Sequence, residues 1–105
     1  MQQIKDITPK ELMEGVTGYY SHGKNMTFGL VELKAGATVP LHQHVHEQIT
    51  YILEGQLDMN IDGVDYSLIL GCHHVISSDV WHSATAVTDC KAIDVFGPVR
   101  EEYKS

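Results

Sequence analysis

The feature that most constrains this chain is a succession of short, apolar-rich runs broken at close intervals by turn signals. Residues 26–33 alternate, with Phe28, Leu30 and Glu32 on one face. Gly36 then punctuates the chain. Residues 48–53 (QITYIL) are rich in β-branched and aromatic side chains, which suit a pleated surface. Glu54-Gly55 makes a turn, residues 56–61 follow, and Asp62-Gly63 is a strong hairpin signal because glycine accepts positive φ cheaply. Residues 64–70, 74–77, 81–87 and 91–96 continue the pattern. Short strands at this spacing predict an all-β sandwich or barrel. Only one helical signal stands out. Thr8-Pro9-Lys10-Glu11 reads as a capping box with proline at the first helical position, and Gly15 ends it. It predicts a short helical turn near the N-terminus. The polar, charged tail, 99–105, is expected to run over the surface.

A chain of 105 residues suits one domain, here residues 1–105, with the barrel core over roughly 17–97. Such a core is modest, so dimerisation is a natural way to bury more surface. The net charge is -7, and no basic run exists. That disfavours nucleic acid and anionic membranes as partners. No stretch approaches a membrane span, and the first residues lack the apolar core of a signal peptide. The expected location is cytoplasmic. Cys72 and Cys90 follow no CxxC pattern and read as two free, buried thiols.

Histidine is the unusual entry in the composition: there are seven, and His42, His44 and His46 fall within five positions. On a strand, the two-residue spacing of His42 and His44 puts both imidazoles on one face, and Gln48 shares their parity. His82 must come from another strand. Three imidazoles and one amide oxygen suit a single divalent transition metal ion (zinc, nickel, manganese, iron or cobalt) rather than calcium or magnesium. None of these ligands is negative, so the ion keeps its full charge and its strength as a Lewis acid. Glu47 stands beside Gln48 as an alternative ligand, but parity directs it to the opposite face.

The segment Gly36-Ala-Thr-Val-Pro-Leu-His42-Gln-His44-Val-His-Glu-Gln48, closing in Tyr51-Ile-Leu-Glu-Gly55, closely resembles the first motif of the cupin superfamily. Gly71 through Val75-Ile76-Ser-Ser-Asp79-Val-Trp-His82 resembles the second, with departures. Ser77, Ser78 and Trp81 replace residues that are often proline, and Asp79 replaces the usual glycine. Aspartate tolerates a left-handed turn better than most residues, so that loop can survive. The resemblance covers nearly the whole chain and implies a cupin-type jelly-roll β-barrel. Many cupins carry glutamate where this chain has Gln48.

Asp94 lies inside an apolar run, Ala92-Ile93-Asp94-Val95-Phe96, and shares a face with Phe96. A carboxylate buried there is costly without a partner and would have a perturbed pKa. The other reading is an edge-strand aspartate turned to solvent. With the run Asp94-Val-Phe96-Gly-Pro-Val-Arg100-Glu, the chain resembles the small cupins of pectin and alginate breakdown. Those proteins convert cyclic 4,5-unsaturated uronates to linear keto sugars. The resemblance implies that His42, His44, Gln48 and His82 hold the metal and that Asp94, Phe96 and Arg100 line the site. On that reading Arg100 binds the carboxylate of a small anionic sugar through two parallel N–H bonds, which lysine cannot do. Asp94 moves the proton, and Phe96 packs on the sugar ring. Trp81 walls the pocket or simply packs. Resemblance to small cupins also implies a homodimer. Two other functions compete: an oxygen-using cupin and a non-catalytic metabolite-binding cupin.

His46 is expected to support a ligand or to face solvent. His73 and His74 read as surface residues, His22 as a loop residue without a partner, and Cys72 as a small buried hydrophobe.

Overall fold

The computed structural model describes residues 1–104. Ten antiparallel strands run along the chain: β1 (Lys10–Met13), β2 (Val16–His22), β3 (Thr27–Leu33), β4 (Thr38–His42), β5 (Glu47–Glu54), β6 (Gln56–Ile61), β7 (Val64–Ile69), β8 (His73–Ile76), β9 (His82–Ala86) and β10 (Cys90–Gly97). They form a six-stranded sheet, ordered β1-β2-β3-β10-β5-β8, and a four-stranded sheet, ordered β4-β9-β6-β7. The two sheets close face to face as a jelly roll. Strand alternation builds the core between them, with Ile52, Ile76 and Val16 fully enclosed and Leu33, Leu57 and Met59 around them.

The hairpin read from Asp62-Gly63 is present between β6 and β7. Both residues have positive φ, 53° and 80°, as a two-residue type I′ connection needs. Asp79 sits at φ 64°, so the loop before His82 keeps its left-handed residue without glycine. Its backbone N–H donates to His44 O at 2.8 Å, which ties that loop to the His44 loop.

Three expectations fail in instructive ways. Residues 10–13 are a strand, not a helical turn. Lys10 and Glu11 pair with Gly18 and Thr17, so the sheet edge supplies the partners a helix would have supplied internally. Among the described residues, helical structure is confined to single 3₁₀ turns at Ile4–Asp6 and Glu101–Tyr103. The C-terminal tail does not simply run over the surface, because Val99 and Arg100 are buried. Finally, His42 and His44 do not share one regular strand: β4 ends at His42, and the chain bends before β5 begins at Glu47. Both cysteines are free; Cys90 is buried and Cys72 only partly so.

The six-stranded sheet also sets up a polarity gradient. β10 is central, between β3 and β5, which removes the edge-strand reading of Asp94. In its register with β5, Ala92 faces Ile52, Asp94 faces Thr50 and Phe96 faces Gln48. The inward face is thus apolar at one end and polar at the other. The polar end lies beside the His loops.

Candidate metal centre

His42 and His82 are paired directly across β4 and β9, and His44 approaches from the loop between β4 and β5. One nitrogen from each of the three imidazoles lies within 4.8 Å of the other two, a cluster that could hold a metal ion. The His42 and His82 rings have centroids 4.1 Å apart, and those of His44 and His82 5.0 Å apart.

The second ring nitrogens explain this convergence. His42 Nδ1–H donates to Pro40 O at 2.8 Å, His44 Nδ1–H to His46 O at 2.9 Å, and His82 Nδ1–H to Val80 O at 2.8 Å. A carbonyl can only accept, so each Nδ1 carries the proton and each Nε2 presents a lone pair. His82 Nε2 is buried with no hydrogen-bond partner among the described residues. His44 Nε2 lies 3.1 Å from Gln48 Oε1. The Gln48 amide is oriented by its other end, where Nε2 donates to Thr50 Oγ1 at 2.9 Å and to Asp94 Oδ1 at 3.2 Å. Two lone pairs therefore face each other across the His44–Gln48 contact. That arrangement repels by itself and becomes attractive around a cation. Protonated imidazole is the other way to relieve it, but burial, then the Arg100 charge, hold His44 below its ordinary pKa. Burial pushes His82 down to about 4. Neutral imidazoles are what a metal requires. The donor set therefore fits a divalent transition ion, with His42, His44 and His82 as its nitrogen donors.

Glu47 is exposed and Gln48 buried, so strand alternation sends Gln48 toward the cluster and Glu47 away. His46 is buried; its carbonyl orients His44, and its Nε2–H donates to Val99 O at 3.2 Å. Thr50 was not singled out from sequence, yet its hydroxyl joins the group by donating to Asp94 Oδ1 at 2.7 Å. Nothing in a lone threonine two residues after Gln48 marks it, except the shared parity of the strand.

A cavity of about 240 Å³ opens beside the cluster, and His42, Gln48, His82, Asp94, Phe96 and Arg100 all reach it. Pockets for drug-sized ligands run from ~300 to 1,000 Å³, so this one suits a small metabolite. Asp94 turns inward, and burial raises its carboxyl pKa, while its bonds from Thr50 and Gln48 oppose the rise only partly. Oδ1 accepts both bonds, which leaves Oδ2 to carry a proton.

Arg100 is buried although its tail is polar in sequence. Its backbone N–H donates to Thr27 Oγ1 at 2.9 Å. Its guanidinium carbon lies 4.8 Å from the Phe96 ring centroid and 4.2 Å from that of Tyr103, a cation held between two aromatic faces. Nε–H donates to Glu102 at 3.0 Å. Among the described residues, the terminal amino groups have no protein partner. Phe96 is buried, with an edge toward His44.

Trp81 stays outside this assembly. It is half exposed and does not line the cavity, because the inward register of β9 begins with His82 and turns its neighbour out. His22 is not an idle loop residue: it ends β2, contacts Thr27 Oγ1 at 2.8 Å and Tyr103 O at 3.3 Å, and so helps seat the tail. His73 is exposed and His74 partly so, beside Tyr66, well outside the cluster. No helix among the described residues is long and apolar enough to cross a membrane.

Residues 29–96 match the Cupin domain family. No curated protein matches the chain. Among solved structures, KdgF from Halomonas sp. is 26% identical with a TM-score of 0.87, over 93% of this chain and 92% of that one. An RmlC-like cupin from Shewanella frigidimarina is 25% identical with a TM-score of 0.91, over 97% and 93%. A predicted oxalate decarboxylase from Thermotoga maritima is 25% identical with a TM-score of 0.80, over 91% and 96%. The family match spans both His loops and β10, and these likenesses run almost the full length of the jelly roll: the chain belongs to the cupin family.

Proposed function

We propose that this cupin is a metal-dependent isomerase that opens small cyclic 4,5-unsaturated uronates to linear keto sugars. The observation that carries the reading is one small cavity holding three kinds of group together. They are a three-imidazole cluster with Gln48, which reaches the cavity through His42, His82 and Gln48, a buried carboxyl raised in pKa, and a buried guanidinium with free amino groups. The likeness to KdgF and the sequence resemblance to the uronate-linearising group support the same assignment.

The chemistry needs one proton moved and no external reactant. The anomeric O–H loses its proton, the C1–O bond to the ring oxygen breaks, and C1 becomes an aldehyde. The ring oxygen leaves as an enolate on C5, which takes the proton at C4 and becomes a ketone at C5. Atoms balance, because the proton lost at the anomeric oxygen equals the one gained at C4. Asp94 is the carrier we assign to that proton: burial raises its carboxyl pKa, and Oδ2, which takes neither of the bonds to Oδ1, can give a proton and take one back. Arg100 holds the substrate carboxylate through its free amino groups. Phe96 offers a ring face beside it. A divalent ion held by His42, His44, Gln48 and His82 would supply Lewis acidity toward substrate oxygens. Gln48 also links the cluster to Asp94 through one amide, so the two functions share a fixed geometry.

The test is an assay of metal-loaded protein on unsaturated uronate monomers, following loss of the conjugated double bond with and without oxygen. Equal turnover in both atmospheres is expected. Oxygen consumption stoichiometric with turnover would replace the isomerase reading with an oxygen-using one.

A further inference from the structure

Tyr20 lies on the inward face of β2, is 6% exposed, and lines the cavity with Asp94 and Arg100. Its ring lies flat on the sheet in a way the backbone has been cleared to allow. It sits opposite Gly29 in the β2–β3 register, and Gly18 is two residues before it on the same face. A methyl group built at Gly18 would overlap the ring and the hydroxyl, and one built at Gly29 would overlap the other ring edge. Glycine weakens a strand interior, so two glycines under one aromatic ring mark a place where close approach matters. With side chains there, the ring would be driven off the sheet into the cavity. The opposite face of the ring is also fixed. Tyr103 stacks on it with centroids 4.4 Å apart and planes 28° from parallel. Tyr103 in turn carries the Arg100 guanidinium on its own face. The tail bearing both is seated by Thr27, His22 and His46.

The result is a row of Tyr20, Tyr103, Arg100 and Phe96, each against the next, and all four line the cavity. We propose that Tyr20 is a ligand-binding residue whose hydroxyl, held flat over Gly18 and Gly29 and under Tyr103, completes with Arg100 a binding pocket for a carboxylate. The inference rests on the reading that the ligand is a small carboxylate, but not on its being a sugar. The pocket suits an anion electrostatically as well. Arg100, buried and stacked on Tyr103, supplies the counter-charge.

The test uses Tyr20→Phe, which keeps the ring, its stack and its seat over the glycines. Metal-loaded wild type and variant are titrated calorimetrically with galacturonate, with galactose as its neutral counterpart, and with lactate and benzoate as non-sugar acids. The variant is expected to bind a carboxylate roughly tenfold or more weaker, as loss of a hydrogen bond to a charged group implies. Metal content, thermal midpoint and affinity for galactose are expected to stay at wild-type values. Equal carboxylate affinity in the two proteins would overturn the inference and leave the uronate reading standing. Binding of lactate or benzoate but not galacturonate, with the same loss in Tyr20→Phe, would uphold the inference and remove the uronate reading. Failure of every carboxylate to bind wild type would overturn the inference outright.

Discussion

Asp94→Asn separates a carboxyl's chemistry from its place in the structure. Oδ1 accepts from Gln48 Nε2 and Thr50 Oγ1, and the asparagine carbonyl can accept the same two bonds. The change is isosteric, and it leaves Gln48 oriented toward His44. Metal content is expected to stay at the wild-type level, while turnover of unsaturated uronate falls by the ~10²–10⁴-fold typical of a lost general acid–base group. Stability gives an independent reading with a defined sign. Burial raises the folded-state pKa of Asp94 above the unfolded value of about 3.9. Between those two values the folded protein holds a proton that the unfolded chain has lost. The stability this proton provides is fully present at low pH and is lost as pH rises through the folded pKa. The loss is at most about 1.4 kcal/mol per pH unit. The asparagine variant has no such loss, so its stability relative to wild type grows with pH and levels off at the folded pKa. Urea unfolding of both chelator-treated proteins between pH 4 and 8 measures the difference. Parallel pH profiles would refute the buried, protonated carboxyl, and undiminished turnover would refute its role as proton carrier.

Metal analysis of Gln48→Ala and Glu47→Ala tests the donor set: the first is expected to lose metal and the second to keep it, because Glu47 points to solvent. Arg100→Lys keeps a positive charge but not the two-pronged geometry, and KM for the uronate is expected to rise roughly tenfold with metal content unchanged. Chelation should lower the thermal midpoint of wild type. Ligand at 100 times its Kd stabilises by about 2.7 kcal/mol, and each kcal/mol moves a domain of this size by roughly 4–8 °C. Ile52→Ala, at a fully enclosed site, is expected to cost about 2–5 kcal/mol in denaturant unfolding.

What the sequence made legible was mostly local. Asp62-Gly63 specifies its hairpin by backbone conformation alone, and strand parity correctly separates Gln48 from Glu47. His42, His44 and His82 converge as expected, but for a different reason than strand spacing. The chain leaves β4 at His42, so His44 is aimed by its own loop and by His46 O. The features that were missed depend on pairing at a distance. Thr8-Pro9-Lys10-Glu11 has helical punctuation, yet the strand at Val16–His22 offers Lys10 and Glu11 a ladder, and tertiary pairing overrides local preference. The tail is polar, yet Arg100 is buried because two rings and Thr27 wait for it. The seat of Tyr20 needs Gly18 and Gly29 on neighbouring strands, a juxtaposition that exists only once the β2–β3 register is known.

The carbonyls that orient the three imidazoles come from Pro40, His46 and Val80, each two residues from the histidine it holds. Aiming is therefore a property of three tripeptides rather than of the barrel as a whole. Such a centre is modular. Walls of the cavity can be exchanged, on β2, β10 or the tail, without turning any imidazole away from its neighbours. A second motif stripped of its prolines and its glycine can still deliver His82, provided that Val80 O remains where it is. In this chain, then, substitutions in the cavity wall can alter which ligand fits while the three imidazoles keep their aim. A cavity so built can be reshaped without disturbing the cluster that could hold a metal ion.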